Sequence, residues 1–417
     1  MKLSRAFMQL GPILAALRRH KGATALIVLQ VALTLAVTTN ALYIVATRVV
    51  HLARPTGTDE AHIFVIHNGW KPGQDAAQID AALRADLAAL RGVPGVRDAF
   101  SSQTSPLAGA NGIIMPGLKL QPEQTTKPVR GVAYLADDHA INTLGVTLEE
   151  GRNFRPDEIG TFVPEGKVAA PGIIITRNVA NKLFPGGTAL GKTVYLPGGP
   201  ASIIGIVASL QSPLKQSPTL DFASILLPAR SNDPEGVVYM IRTDATAMGP
   251  VIAAALKALE QRGGMRILDP SQGVVTLSAA RAEAYATDRS IAMLLAIVCA
   301  LLLLATAGGI VGLSSFWVAQ RRTQIGVRRS LGATAGDILR YFHAENFLIV
   351  SGGVILGLVL AIAANIGLMK LFPLDFMPLY VPLGGAVLLW ALGQLAVWGP
   401  AAYAAKVPPI IAIRTTG

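Results

Sequence analysis

Four long stretches of the chain, residues 22–46, 290–319, 346–369 and 376–405, contain no Asp, Glu, Lys, Arg or His. A bilayer core about 30 Å thick needs about 20 apolar helical residues, so each is long enough to span a membrane. The spacing of one span, a long interval and three closely spaced spans predicts an α-helical membrane protein with four transmembrane helices (1+3) plus a large α+β extracytoplasmic domain. The assigned segments are 1–21 (N-terminal amphipathic helix), 22–46 (first span), 47–289 (outer domain), 290–319 (second span), 320–345 (cytoplasmic loop), 346–370 (third span), 371–380 (outer turn), 381–405 (fourth span) and 406–417 (tail). In the fourth stretch Pro378, Pro382 and Pro400 limit a regular helix and confine the expected core of the span to 381–398.

Between the first two spans the pattern changes to short β-branched runs alternating with amphipathic segments. Residues 62–67 read as a strand, 75–90 as a helix with Ile79, Leu83, Leu87 and Leu90 on one face, and 96–100 as a strand. Residues 173–176, 193–196 and 202–207 read as strands around a short helix at 178–184, and 237–242, 250–261 and 265–268 repeat the opening order of strand, helix, strand. A stretch rich in Gly, Pro, Ser and Gln at 101–127, with one apolar patch at 113–115, opens an inserted subdomain expected near 101–170. Residues 278–289 are polar and Ala-rich and are expected to extend the second span outward as a helical stalk.

The chain is 52% hydrophobic and 15% charged, too apolar for an ordinary soluble protein and too charged for one that lies wholly in lipid. The net charge of +11 is decided by its location: Lys2, Arg5, Arg18, Arg19 and Lys21 precede the first stretch, and Arg321, Arg322, Arg328, Arg329 and Arg340 fill the connection between the second and third. This is charge at a membrane surface rather than a nucleic-acid footprint, and by the positive-inside rule it places both segments, and both termini, in the cytoplasm. The N-terminus also has the shape of a secretory signal peptide, but its apolar run is long and shows no small-x-small site near Tyr43 and Ile44, so an uncleaved anchor is expected. Leu3, Phe7, Leu10, Ile13, Leu14 and Leu17 recur at helical spacing, fitting either a surface-lying helix or an extension of the first span. The single cysteine, Cys299, falls in the second stretch, so the outer domain, about 240 residues long, must fold on its apolar core alone.

Gly186, Gly191, Lys192 and Thr193 match the G-x-x-x-x-G-K-[ST] pattern of phosphate-cradling loops. That chemistry needs a strand before the loop and a helix after it; here a helix ending at Pro185 precedes and a strand follows, so a turn is the expected role. Among the six histidines, His62 and His67 are expected on opposite faces of one strand, which disfavours a shared metal, and Asp137, Asp138 and His139 read as a helix cap.

The segment from Arg321 to Ala333, RRTQIGVRRSLGA, followed by Asp337, Ile338, Leu339 and Arg340, resembles the loop between the second and third spans of MacB/FtsX-like permeases, the type VII ABC superfamily. The outer segment 178–207 and the run Glu150, Gly151, Arg152, Asn153, Phe154 look like the periplasmic core domain of the same family. The resemblance implies a permease subunit of an export or mechanotransmission complex in the bacterial inner membrane, with an ATPase-coupling set of Arg321, Arg322, Gln324, Ile325, Gly326, Arg328, Arg329, Leu331, Gly332, Ala333 and Asp337. Gln324 stands where the family usually has Glu. MacB proper carries its ATPase on the same chain, whereas this sequence starts close to its first apolar stretch; an ABC-type ATPase on a separate chain, holding ATP and magnesium, is therefore expected, with no cofactor, metal or catalytic residue on this one. Two ATPase subunits imply a second permease copy or paralogue, and the family admits a periplasmic adaptor and an outer-membrane channel. Gly308 and Gly312, and Gly353 and Gly357, have the GxxxG spacing of helix packing, within the chain or between copies. A relay to an extracytoplasmic enzyme without transport is the alternative function; the absence of ionisable residues in the four stretches disfavours a proton-coupled carrier.

Overall fold

The computed structural model describes residues 21–110, 112–162, 168–214, 217, 219–263, 266–268, 273–371 and 376–406. The amphipathic segment expected before Lys21, residues 372–375 of the outer turn, and the tail beyond Lys406 lie outside them. The chain divides into two units, residues 1–53 with 288–417, and residues 54–287. Its helices are α1 (Lys21–Ala53), α2 (Ala76–Arg91), α3 (Ala140–Leu144), α4 (Arg177–Leu183), α5 (Met248–Glu260), α6 (Leu277–Ala284), α7 (Ala286–Gln320), α8 (Arg322–Ser330), α9 (Ala335–Leu371) and α10 (Tyr380–Ala405).

In the first unit α1, α7, α9 and α10 are each long and apolar enough to cross a membrane. The 37 residues of α9 would reach about 55 Å at 1.5 Å per residue, well beyond a bilayer core. That overhang revises the expected loop 320–345: its second half, from Ala335, is already helix. The fourth span runs through Pro400, whose missing N–H removes one helical bond without ending the helix.

The bundle is organised by close approach of α9 to α1. A Cβ on Gly353 would lie 2.6–2.7 Å from Val31 and 2.9 Å from the Val28 carbonyl, and one on Gly357 would lie 2.9–3.0 Å from Leu35 and Ala32. Both glycines therefore pack within the chain, letting Ile27, Val31, Leu35, Val350 and Val354 form one core with Ala386 and Leu389 of α10. Among the described residues nothing lies within 4 Å of such a Cβ on Gly308 or Gly312, so this pair makes no comparable approach there. Polar side chains in the bundle bond across it: Asn40 Nδ2 donates to the Ala361 carbonyl at 3.0 Å and Asn346 Nδ2 to the Gly393 carbonyl at 2.8 Å.

The second unit begins with the predicted strand, helix, strand. Asp75 caps α2 reciprocally with Gln78, at 2.8 and 3.1 Å, and Ile79, Leu83, Leu87 and Leu90 are all buried. Strands Ile63–Trp70, Val237–Thr243 and Val96–Ser102 pair antiparallel, with Arg266–Ile267 on the other edge of the first, giving a split β-α-β sheet closed by the two ends of the domain. Phe64, Ile66, Tyr239 and Ile241 face α2 and α5, while Val65, Val238 and Met240 face the opposite side. The insertion between these halves is larger than expected. It carries a second sheet of seven strands, ordered Val132–Ala136, Ser224–Ser231, Gly172–Thr176, Gly199–Val207 and Leu148–Gly151, with Gly160–Phe162 paired to Ser224–Ser231 and Thr193–Leu196 to Gly199–Val207. One face of this sheet shares a core with the first through Tyr134, Ile174 and Leu226; the other buries α4 through Val179 and Leu183.

Several local expectations change. The expected stalk is broken at Tyr285 (φ −106°, ψ 8°), leaving α6 and α7 as separate helices. His62 lies in a turn before the strand and bonds Asp59 through Nδ1 at 2.7 Å. Asp137 does not cap α3: its carboxylate accepts from the His139 N–H at 3.0 Å and from Arg91 at 2.8 Å, while His139 Nδ1 contacts Asp98 at 2.7 Å, a polar junction of α2, α3 and the first sheet. Gly186 and Gly191, each at φ +74°, sit in the turn between α4 and the strand Thr193–Leu196, the reverse of a nucleotide loop. In the run 150–154, Gly151 (φ +81°) passes against the Ile204 carbonyl, Arg152 pairs with Glu158 at 2.6 Å and Phe154 is buried.

Substituting Leu at Gly353 or Gly357 should overpack α9 against α1 and cost roughly 1–3 kcal/mol or more, whereas Gly308→Leu should leave the single-chain fold intact; thermal unfolding of the detergent-purified protein distinguishes them. Hydrogen bonds from Arg152 hold Glu158 down at about 2 against an ordinary 4.5. The stabilisation from that pair should be complete above pH 4.5 and lost as pH falls toward 2, and Arg152→Gln should remove this component of the acid sensitivity.

Candidate coupling surface

The short helix α8 is delimited by its own sequence. Its end is a Schellman motif: Gly332 at φ +96° donates to the Arg329 carbonyl at 3.1 Å, and Ala333 donates to the Arg328 carbonyl at 3.0 Å. Two residues later Thr334 and Asp337 cap α9 reciprocally, Asp337 N–H donating to Thr334 Oγ1 at 3.2 Å and Thr334 N–H to the Asp337 carboxylate at 3.1 Å. Gly332 and Asp337 thus shape the corner rather than offering chemistry.

The inner face of α8 is fixed to the bundle. Ile325, 5% exposed, packs with Val318, Ile338, Phe342, Ala401 and Ala404, and Gly326 is buried beside it. Arg321, just before the helix, reaches both carboxylate oxygens of Glu345 at 3.0 and 3.1 Å and lies 5.7 Å from the Trp317 ring. Arg322 donates to Tyr403 Oη at 2.9 Å, and the Arg328 guanidinium stacks 5.1 Å above the Tyr341 ring. Arg329 donates to the carbonyl of Ala405, the last residue of α10, at 2.9 Å, which satisfies a terminal carbonyl at the negative end of that helix.

The outer face is left to solvent. Gln324, Val327, Leu331 and Gly332 are exposed, Leu331 at 82%, and Ala333 is half-buried. A shallow groove beside them is lined by Arg321, Gln324, Ile325, Arg328, Ile338, Tyr341 and Phe342. The eleven residues read as one coupling set therefore separate into an anchoring group, Arg321, Arg322, Ile325, Gly326, Arg328 and Arg329; a corner group, Gly332, Ala333 and Asp337; and an outward pair, Gln324 and Leu331. Sequence reasoning missed Glu345, Tyr341, Trp317 and Tyr403. Glu345 had a signal: residues 320–345 hold five arginines against two acids, and one of those acids abuts the third apolar stretch.

The MacB-like periplasmic core domain family matches residues 24–259, more than half of the chain. This chain belongs to the MacB/FtsX-like ABC transporter permease family. The FtsX-like permease C-terminal family matches residues 286–409, covering α7 to α10. The Bacillus subtilis protein named uncharacterized ABC transporter permease YknZ is 22% identical over 87% of this chain and 86% of its own length. The macrolide export ATP-binding/permease protein MacB 1/2 of Paracoccus denitrificans is 26% identical over 86% of this chain, which spans 51% of that protein. A second B. subtilis permease, YvrN, is 25% identical over 67% of this chain and 69% of its own. The chain is thus a permease component of an ABC complex, a membrane protein with an outer domain, and α8 is the MacB/FtsX-like segment recognised in the sequence.

Within this family segment, Ile325→Asp should destabilise the bundle by several kcal/mol because it buries a charge in an apolar cluster, while Leu331→Asp should change stability by less than about 0.5 kcal/mol. Thermal unfolding in detergent checks both.

Proposed function

We propose that this permease couples an ABC-type ATPase, carried on a separate chain, to movement of the outer domain, and that the ATPase docks on the outward face of α8. The observation that carries the reading is a short helix bolted to the bundle on one side by Ile325 and four arginines while Val327, Leu331 and Gln324 stand free on the other. An apolar side chain at 82% exposure beside a shallow groove is the form of an anchor for a partner's surface. The alternative, a basic segment that only sets topology, gives no reason to fix the helix so firmly.

In this reading α8 and both termini face the cytoplasm, as the arginine cluster requires by the positive-inside rule. The membrane is the bacterial inner membrane, whose lipid surrounds α7 and α10. ATP and magnesium are held by the ATPase; this chain supplies no catalytic group. A pair of ATPase subunits that closes on ATP moves two α8 helices, so a second copy of the chain or a paralogue completes the complex, and a periplasmic adaptor and an outer-membrane channel continue an export route. The substrate is handled by the outer domains rather than between the spans.

Co-purification in mild detergent tests the docking. Wild type should capture an ATPase with Walker motifs. Val327→Asp with Leu331→Asp should lower its recovery by at least about tenfold, the effect of losing one or two interface anchors, with the thermal unfolding of the permease unchanged. The same ATPase recovery from wild type and variant removes α8 as the dock, and no ATPase from either removes the coupling reading.

A further inference from the structure

The helix α7 leads from the outer domain to α8, yet it is the least embedded span. Only 17% of its most apolar window is buried, against 56% for α1. Met293, Leu294, Ile297, Leu301, Leu304 and Phe316 are exposed. Gly308 and Gly312 open onto space, whereas α9 is locked to α1 through Gly353 and Gly357. Among the described residues α7 is held along its middle by a hydroxyl pair, Thr34 with Thr306 at 2.8 Å, a bond from Gln30 Nε2 to the Ala305 carbonyl at 3.0 Å, the close approach of Gln30 at Gly309, and one row of side chains from Leu303 through Ile310 and Leu313 to Trp317.

Its ends are held differently. At the inner end Arg321, immediately after α7, grips Glu345 of α9, which is 2% exposed. At the outer end Asp288, in the first turn of α7 and 4% exposed, is paired with Arg48 of α1. Breaking a buried carboxylate–arginine pair is costly, so each pair resists separation of α7 from its neighbour at that end. Asp288 also marks the place where the chain returns from the outer domain, and Arg48 lies five residues before it departs at Ala53.

We propose that these two ion pairs pin α7 to the α1, α9, α10 block, so that α7 moves with the block to which α8 is fastened and passes that displacement to the outer domain instead of losing it as a swing of its own. Glu345 and Asp288 are positioning residues for this transmission: neither touches the ATPase nor any substrate. The inference rests on the reading of α8 as the ATPase dock. It requires coupling energy to be carried by an element with discrete contacts at each end, which is the physical condition for transmission between distant sites.

The test uses the detergent-purified complex with its ATPase and measures two quantities: ATP turnover, and the change in hydrogen exchange of residues 54–287 on adding ATP with vanadate. Glu345→Gln and Asp288→Asn are isosteric and remove the ion pair at one end each. Both should retain ATPase association and basal turnover within about twofold while losing most of the nucleotide-dependent exchange change. The reciprocal exchange of Arg48→Asp with Asp288→Arg should restore it, a recovery that a merely stabilising role at either single position does not predict. An exchange response equal to wild type in both single variants overturns the inference and leaves the docking reading standing. So does a loss in the variants that accompanies lowered thermal stability and is not recovered by the reciprocal exchange. Failure of wild type to capture an ATPase overturns both.

Discussion

Close approach of α1 and α9 is the constraint on which the membrane unit depends. In lipid there is little hydrophobic advantage in bringing one apolar helix against another, so association must come from dispersion contacts, backbone proximity and interhelical polar bonds. Gly353 and Gly357 remove the side chains that would hold the two helices apart, and Val31, Leu35 and Ala32 fill the space that results. Once the helices are this close, Asn40 can reach the Ala361 carbonyl, and α10 can lie along both with Asn346 donating to Gly393. The same block then serves as the wall against which α8 is fastened by Ile325, Arg322 and Arg329.

The arginines of this chain do two kinds of work. Positive charge near the cytoplasmic ends sets orientation whatever the geometry, but Arg321, Arg322, Arg328 and Arg329 also have defined partners: a buried carboxylate, a phenol, an aromatic face and a helix-terminal carbonyl. Each partner lies on a different element from α8, so the arginines tie the helix to its neighbours at several separate points. The apolar residues Val327 and Leu331 remain outside this network, and that separation allows α8 to be both firmly mounted and available.

The outer domain uses a different principle. Without a disulfide to restrain it, it closes the first sheet from its two ends and threads the whole second sheet through the gap. Both faces of the central strand Ile63–Trp70 are therefore covered, one by α2 and α5 and the other by the second sheet, and that arrangement accounts for the unbroken apolar run at its start. The motif run 150–154 is a structural device in this setting: a left-handed glycine against a backbone carbonyl, an ion pair and a buried Phe.

The sequence by itself determined the four spans, the family, and most strands and helices of the outer domain, because these follow from local period, length and motif. The face made by Ile79, Leu83, Leu87 and Leu90 and the turn that defeats the nucleotide-loop match were both legible from neighbours within a few residues. Tertiary structure alone decided what depends on partners distant in the chain. It gave Gly353 and Gly357 a neighbour and left Gly308 and Gly312 without one, although all four share one spacing. It turned Ile325 and Arg321 inward and Leu331 outward around a short helix with arginines at both ends. It enlarged the inserted subdomain into a full sheet, since pairing between strands as distant in sequence as Val132 and Ser224 leaves no local trace. It also joined Arg48 to Asp288 and Arg321 to Glu345, because a charge reveals its counter-charge only when the helices that carry them are side by side.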